Sequence, residues 1–130
     1  MSFSVGDQFS LTFSVSKQDM TDFASLSGDH NPIHLDDAYA RENGFDGRVV
    51  YGALLISKLS TLIGMHLGVE NVMWLYNSLK FKKPVYIDDS VEIKATVSSY
   101  SDSVQMAEFE IVMIAKDIKV CTGKIGVKVL

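Results

Sequence analysis

Residues Ser27 to His34 read SGDHNPIH, so eight positions hold a carboxylate, two imidazoles, an Asn, a Pro and a helix-ending Gly. Turns select Gly, Asp, Asn and Pro for φ freedom, backbone-mimicking side chains and a fixed φ, but a plain turn requires neither histidine. Metal binding is the first chemistry to weigh, since His30 and His34 are four apart with Asp29, Asp36 and Asp37 nearby. A His pair at that spacing shares a face only on a continuous helix, and Pro32 disfavours helical geometry at Asn31, so the pair should diverge. Beyond this stretch only His66 and Cys121 remain as His or Cys ligands, short of the closed or three-ligand sets that zinc takes, so no metal is expected. A nucleophilic triad is also poorly supported, because no GxSxG elbow occurs. Acid/base chemistry fits better: a carboxylate and an imidazole on a Pro-containing loop can together bind one water and move protons near neutral pH. A hydrogen-bonded loop network would use the same residue types, and at this level both readings stay open.

The neighbouring elements must position that loop. Val5 to Val15 alternates apolar and polar from Gln8 onward, with Phe9, Leu11, Phe13 and Val15 on one face, the period of a half-buried strand. Ser16 precedes Lys17, Gln18 and Asp19 as an N-cap, the following helix places Met20, Phe23, Ala24 and Leu26 together, and Gly28 stops it. A second short helix is predicted from about Asp37 to Asn43, capped by Asp36, with Gly44 past its end. GFDGRVVYG is an irregular link. Gly52 to Leu67 reads as a long helix apolar nearly all round, the pattern of a helix wrapped by other structure, and Gly68 ends it. From Val72 the pattern becomes strands: 72–85, 90–99, 104–115 and 119–129, broken at IDDS, SYSDS and KDIK. One strand, helices, then four strands is an α+β order, an antiparallel sheet curled around one buried helix.

The totals set outer limits. At 130 residues the chain suits one domain, 1–130, with one core. Hydrophobic residues at 47% and charged residues at 22% describe a globular protein, not a disordered one. A net charge of -4 lacks the basic excess of a nucleic-acid surface. No signal peptide is read at MSFSVGDQFS, and the apolar run at 53–67 is too polar and short for a membrane span. A single cysteine, Cys121, forms no intrachain disulfide and reads as a small inert hydrophobe; a cytoplasmic compartment is expected.

FASLSGDHNPIHLDDAYA (Phe23 to Ala40) resembles the hydratase signature of the MaoC-like, (R)-specific enoyl-CoA hydratases, with Asp29, Asn31, Pro32 and His34 at the D-x-N-P-x-H spacing. RVVYGALLISKLS (Arg48 to Ser60) is similar to the start of that family's central helix, and SLKFKKPVYIDDSV (Ser78 to Val91) to its following strand and turn. The resemblance implies a hot-dog fold, in agreement with the α+β pattern, and a homodimer with active sites near the subunit interface. It implies that Asp29 and His34 order the water added across a trans-2-enoyl thioester, leaving open which takes the water proton and which protonates the α-carbon. It makes the Gly52 amide the oxyanion donor, a role that fits a helix N-terminus, and it makes Ser60 a residue that helps position the water. Asn31, Tyr51 and Arg48 are carried as substrate-binding candidates. Two departures stand out: Tyr51 occupies a position where many members have His, and Asp88 replaces a commoner turn Gly, with consequences for loop shape.

The expected activity is hydration of trans-2-enoyl-CoA to (R)-3-hydroxyacyl-CoA or the reverse dehydration. Dehydration of an acyl-carrier-protein or specialised β-hydroxyacyl thioester, and a non-catalytic thioester-binding subunit, are the alternatives. No cofactor is expected, with coenzyme A or acyl-carrier protein entering as part of the substrate, and neither nucleic acid nor membrane is an expected partner. Arg48, Lys80, Lys82 and Lys83 are candidate phosphate contacts. Phe45, Trp74 and Tyr76 are candidates for an acyl pocket or for core packing. His66 is expected to be structural, at a helix C-terminus, and His30 to face solvent.

Overall fold

The computed structural model describes residues 3–130, so the first two residues of the expected 1–130 domain lie outside the described residues. Four helices and five strands follow in the order β1 (Gln8–Phe13), α1 (Lys17–Ser27), α2 (Pro32–Leu35), α3 (Asp37–Glu42), α4 (Gly52–Met65), β2 (Val72–Phe81), β3 (Val91–Ser101), β4 (Met106–Ala115) and β5 (Ile118–Val129). The strands form one antiparallel sheet in the order β1-β3-β4-β5-β2.

Period-two patterning puts Val91, Ile93, Ala95 and Val97 of β3, and Ala107, Phe109, Ile111, Met113 and Ala115 of β4, on the buried face. Leu54, Leu55, Leu59, Leu62 and Ile63 of α4 pack into the same core. The α4 backbone lies close to both edge strands, β1 and β2. Five strands laid flat would span roughly 19 Å, and one helix could not approach both edges, so the sheet curls around α4. The expected arrangement is therefore present, with one correction. In the chain alone α4 is wrapped on one side only; Ala53, Ser60, Thr61, Gly64 and Met65 form an exposed stripe. Small and polar side chains fill most of that stripe, which a whole-helix apolar count hides.

Ser16 caps α1 as the sequence predicts, in a reciprocal capping box: its Oγ accepts from the Asp19 amide at 3.0 Å, and its own amide donates to the Asp19 carboxylate at 2.9 Å. That bond from the Ser16 amide holds the Asp19 carboxyl below its ordinary value of 3.8. Leu26 departs from expectation, being 86% exposed. At six residues from Met20 it sits about 240° around the helix, away from the face that buries Met20 and Ala24. Boundaries also moved: β1 begins at Gln8 rather than Val5, and β3, bulged at Val97/Ser99, continues to Ser101, into the break expected from Ser99. The predicted strand over 72–85 stops at Phe81, and the four-residue α2 was not foreseen. Asp88, the unusual turn residue, adopts the left-handed conformation at φ 67 and donates its amide to the Val15 carbonyl, tying the β2–β3 link to the end of β1.

Two glycines of β5 face β2 where a side chain has no room. A Cβ added at Gly123 would fall on the Ser78 carbonyl oxygen of the neighbouring strand, and one at Gly126 on the Tyr76 ring. Backbone has no freedom to swing aside, whereas the Tyr76 ring is 41% exposed and has room to move. Gly123→Ala should therefore cost about 3 kcal/mol and Gly126→Ala less, read as lowered urea midpoints at constant m-value. Equal, negligible losses at both positions would contradict this packing.

Candidate active site

The loop from Ser27 to His34 is built from local hydrogen bonds that use nearly every polar residue in it. Gly28 turns the chain out of α1 at φ 76, where a side chain would be strained, and its amide caps the Ala24 carbonyl at 2.9 Å. The Ser27 hydroxyl donates to the Phe23 carbonyl and accepts from the Asp29 amide. Asp29 Oδ1 accepts from the Asn31 amide at 3.0 Å. Asn31 then caps α2, accepting from the Ile33 amide with Oδ1 and from the His34 amide with its carbonyl, while Pro32 occupies the first helical position. Asn31 sits at φ -58 and ψ 125, the extended conformation that the following proline demands.

The two histidines part ways, as Pro32 requires. His30 is exposed, with Nδ1 3.2 Å from the Gly28 carbonyl. His34 is half-buried, and its Nδ1 lies 2.7 Å from the Val49 carbonyl. A carbonyl only accepts, so Nδ1 carries the proton of the neutral ring and Nε2 is left with a lone pair for acid/base work. The Val49 amide returns to the Ile33 carbonyl at 3.1 Å, so the link before α4 is stitched to α2 on both sides of the imidazole.

His34 and Gly52 line the same groove, with Phe45, Leu55, Phe81 and Pro84 as its apolar walls and a volume of about 380 Å³. Gly52 is the first residue of α4, and no side chain caps that helix, so its first-turn amides are free of side-chain partners. Those amides carry the positive end of the helix dipole. A Cβ at Gly52 would lie 3.0 Å from the Phe81 ring, so glycine allows this aromatic wall to close on the helix start.

Tyr51, just before Gly52, is 2% exposed. Its ring stacks on His34 with centroids 4.0 Å apart, and its hydroxyl donates to the Asp29 backbone carbonyl at 2.7 Å. Burial pushes the Tyr51 hydroxyl above its ordinary value of 10.0, and the charge of Asp29 adds to this.

Other candidates lie elsewhere. The Asp29 side chain is exposed at the loop tip and is not part of the groove wall in the single chain. Arg48 opens into a separate cleft of about 370 Å³ beside Asp37, Asp88 and Lys116. Its amide donates to Asp37 Oδ1 at 2.9 Å, its Nε lies 3.8 Å from the same oxygen, and the amide bond holds the Asp37 carboxyl below its ordinary range. Ser60 lies on the exposed stripe of α4, away from the groove. Lys82 and Lys83 flank the groove, whereas Lys80 lines a furrow on the sheet beside Glu108 and Glu110. Of the aromatic candidates only Phe45 reaches the groove; the Trp74 indole donates to the Tyr76 carbonyl, and the Tyr76 hydroxyl to Glu108. His66 closes α4 as its C-cap. Among the described residues no group of three or more His, Cys, Asp or Glu is arranged to hold a metal ion. Cys121 is fully buried, and burial pushes its thiol up to about 11.

The sequence reading did not find Val49 or Phe81 as parts of the site. Val49 contributes only a carbonyl, which no side chain advertises. Phe81 is one apolar residue among several in a strand-like run, and only its half-exposed place at the end of edge strand β2 sets it apart.

Residues 5–117 match the model of the MaoC like domain. The chain is 35% identical over 106 residues to an (R)-specific enoyl-CoA hydratase of Aeromonas caviae, covering 82% of this chain and 79% of that one. It is 30% identical over 115 residues to a 3-hydroxybutyryl-CoA dehydratase of Methylorubrum extorquens, covering 88% and 73%. Among solved structures, the A. caviae (R)-hydratase involved in PHA biosynthesis superposes with a TM-score of 0.92 at 31% identity, over 98% of each chain.

Proposed function

The chain belongs to the MaoC-like domain family and has its α+β hot-dog fold, and from that premise we propose that it hydrates trans-2-enoyl-CoA thioesters to (R)-3-hydroxyacyl-CoA, or runs the reverse dehydration. That it is an enzyme of the hydratase/dehydratase class follows from its relatives. The observation that carries the finer reading is the pairing of His34 and Gly52 in one groove, with His34 Nδ1 committed to Val49.

In the proposed step a water donates one hydrogen to the Asp29 carboxylate and the other to His34 Nε2. Both groups are acceptors in those protonation states, so the water lone pair is left to attack the β-carbon. As the C–O bond forms, the double-bond electrons move toward the thioester oxygen. The Gly52 amide, at the positive end of α4, stabilises that charge. One member of the pair takes a proton from the water as the C–O bond forms and the pair delivers one proton to the α-carbon, so the hydroxyl and the hydrogen added both come from that water and the pair returns to its starting protonation state with no oxidant, metal or further cofactor. Lys82 and Lys83, flanking the groove, are the favoured phosphate contacts for the carrier.

We further take the protein to act as a homodimer in a cytoplasmic, reducing compartment. Supporting the dimer, the ten-residue β2 is an edge strand with Met73, Leu75, Tyr76 and Phe81 exposed, and α4 adds its uncovered stripe. Supporting the compartment, the single cysteine is buried and unpaired. No helix among the described residues is long and apolar enough to cross a membrane.

The test follows enoyl-thioester absorbance with purified protein and trans-2-butenoyl-CoA, with thiol release monitored in parallel. Loss of absorbance without free thiol is the expected result. Free thiol would mean hydrolysis and sink the reading. Turnover confined to the acyl-carrier-protein thioester would reassign the carrier, and saturable binding without turnover would reassign the chain to a binding role.

A further inference from the structure

The exposed Asp29 loop needs an anchor. Among the described residues, the other hydrogen bonds of residues 28–31 run to partners within four positions along the chain, which shape the loop without attaching it to the body. The exception spans 22 positions: the Tyr51 hydroxyl donating to the Asp29 carbonyl at 2.7 Å. The same side chain lies face to face with the His34 ring, its plane tilted by 27°. Phe23 of α1 packs on the Tyr51 ring at 4.7 Å, so the ring is clamped. With its hydroxyl pushed above the ordinary phenol range, Tyr51 stays a donor across the working pH range.

We propose that Tyr51 is a positioning residue that sets Asp29 and His34 in one geometry, the hydroxyl fixing the Asp29 loop and the ring face fixing the imidazole, without touching substrate. Tyr51 is also the N-cap of α4, at φ -55 and ψ 129, so its backbone orients the Gly52 amide that follows. One buried residue thereby registers three parts of the site that come from three different segments. Holding reacting groups to a fixed geometry is worth large factors in rate, and a displacement near 1 Å can forfeit roughly a hundred-fold. The proposal rests on the reading of Asp29 and His34 as the catalytic pair.

Tyr51→Phe removes only the hydroxyl and keeps the stack and the packing. It should lower kcat roughly ten-fold, about what one ordinary hydrogen bond is worth, with KM unchanged. In an Asp29→Asn background the same change should cost almost nothing more, because the hydroxyl acts through Asp29. Tyr51→Leu loses the stack as well and should lower kcat roughly a hundred-fold. It should also abolish the ring-current shift of the His34 ring protons, which Tyr51→Phe preserves. Wild-type kcat in Tyr51→Phe overturns the proposal, as does a rise in KM at constant kcat, which would mark a substrate contact, or an undiminished loss in the Asn background. One readout needs no substrate: amide exchange at Asn31 and His34 should quicken roughly ten-fold in Tyr51→Phe. Unchanged exchange there refutes the anchor whatever the enzyme's activity, and an inactive wild type with quickened exchange would instead refute the catalytic reading.

Discussion

His34→Ala and Asp29→Asn should each lower turnover of trans-2-butenoyl-CoA by roughly 10³-fold, the span that a positioned proton-transfer group supplies. The His34 variant loses the one ring nitrogen left available once Nδ1 is bonded to Val49. The Asn variant keeps an oxygen able to accept from the Asn31 amide, so the loop survives while the negative charge and the proton acceptor disappear. The double variant should be little worse than either single one, because two groups sharing one water act as a unit. Absorbance assays at saturating substrate check this. A His34→Ala protein retaining more than about a tenth of wild-type kcat would remove His34 from proton transfer.

Gly52→Pro isolates the proposed oxyanion donor. Proline lacks the amide hydrogen yet is well accepted at the first position of a helix, and Tyr51, at φ -55 and ψ 129, already has the extended conformation that a residue before proline takes. The fold should hold, with Tm within a few degrees of wild type, while kcat falls roughly 10²-fold or more. Gly52→Ala is the control. It retains the amide and adds only the Cβ that meets the Phe81 ring at 3.0 Å, and that ring is 50% exposed and has room to turn away. Similar losses in both variants would mean that crowding against Phe81, not the missing hydrogen, sets the rate.

The sequence spoke clearly wherever a local rule decides the outcome. The Ser16 cap, the Gly28 stop, the divergence of His30 and His34 across Pro32, and the period-two face of β1 are consequences of residues a few positions apart. Where a side chain meets something distant, the sequence was mute. Arg48 reads as a candidate phosphate contact, yet its amide and guanidinium are both turned toward Asp37 eleven positions earlier. Tyr51 reads as a substitution at the mouth of a helix, yet its hydroxyl reaches back to Asp29. Trp74 and Tyr76, candidates as aromatics, are bonded at the edge of the sheet instead, the Trp74 indole donating to the Tyr76 carbonyl and the Tyr76 hydroxyl to Glu108. The exposed face of α4 was hidden for a different reason: with leucines on one side and alanine, serine, threonine and glycine on the other, average hydropathy reports a buried helix while the accessible stripe is narrow and small-featured.

Cys121 gives the molecule an internal clock. It sits on β5 opposite Met113 of β4 and Phe81 of β2, fully covered, with its thiol held near 11. In the folded state there is neither access for an alkylating reagent nor a useful fraction of thiolate to react with it. Labelling must wait until β5 parts from its neighbours, and the rate of a single mass increment then counts the molecules whose sheet has opened. Because the chain has one cysteine, each molecule records one event. Destabilised chains such as Gly123→Ala should record it faster, the logarithm of the labelling rate rising with the stability lost, with no second cysteine to be engineered in.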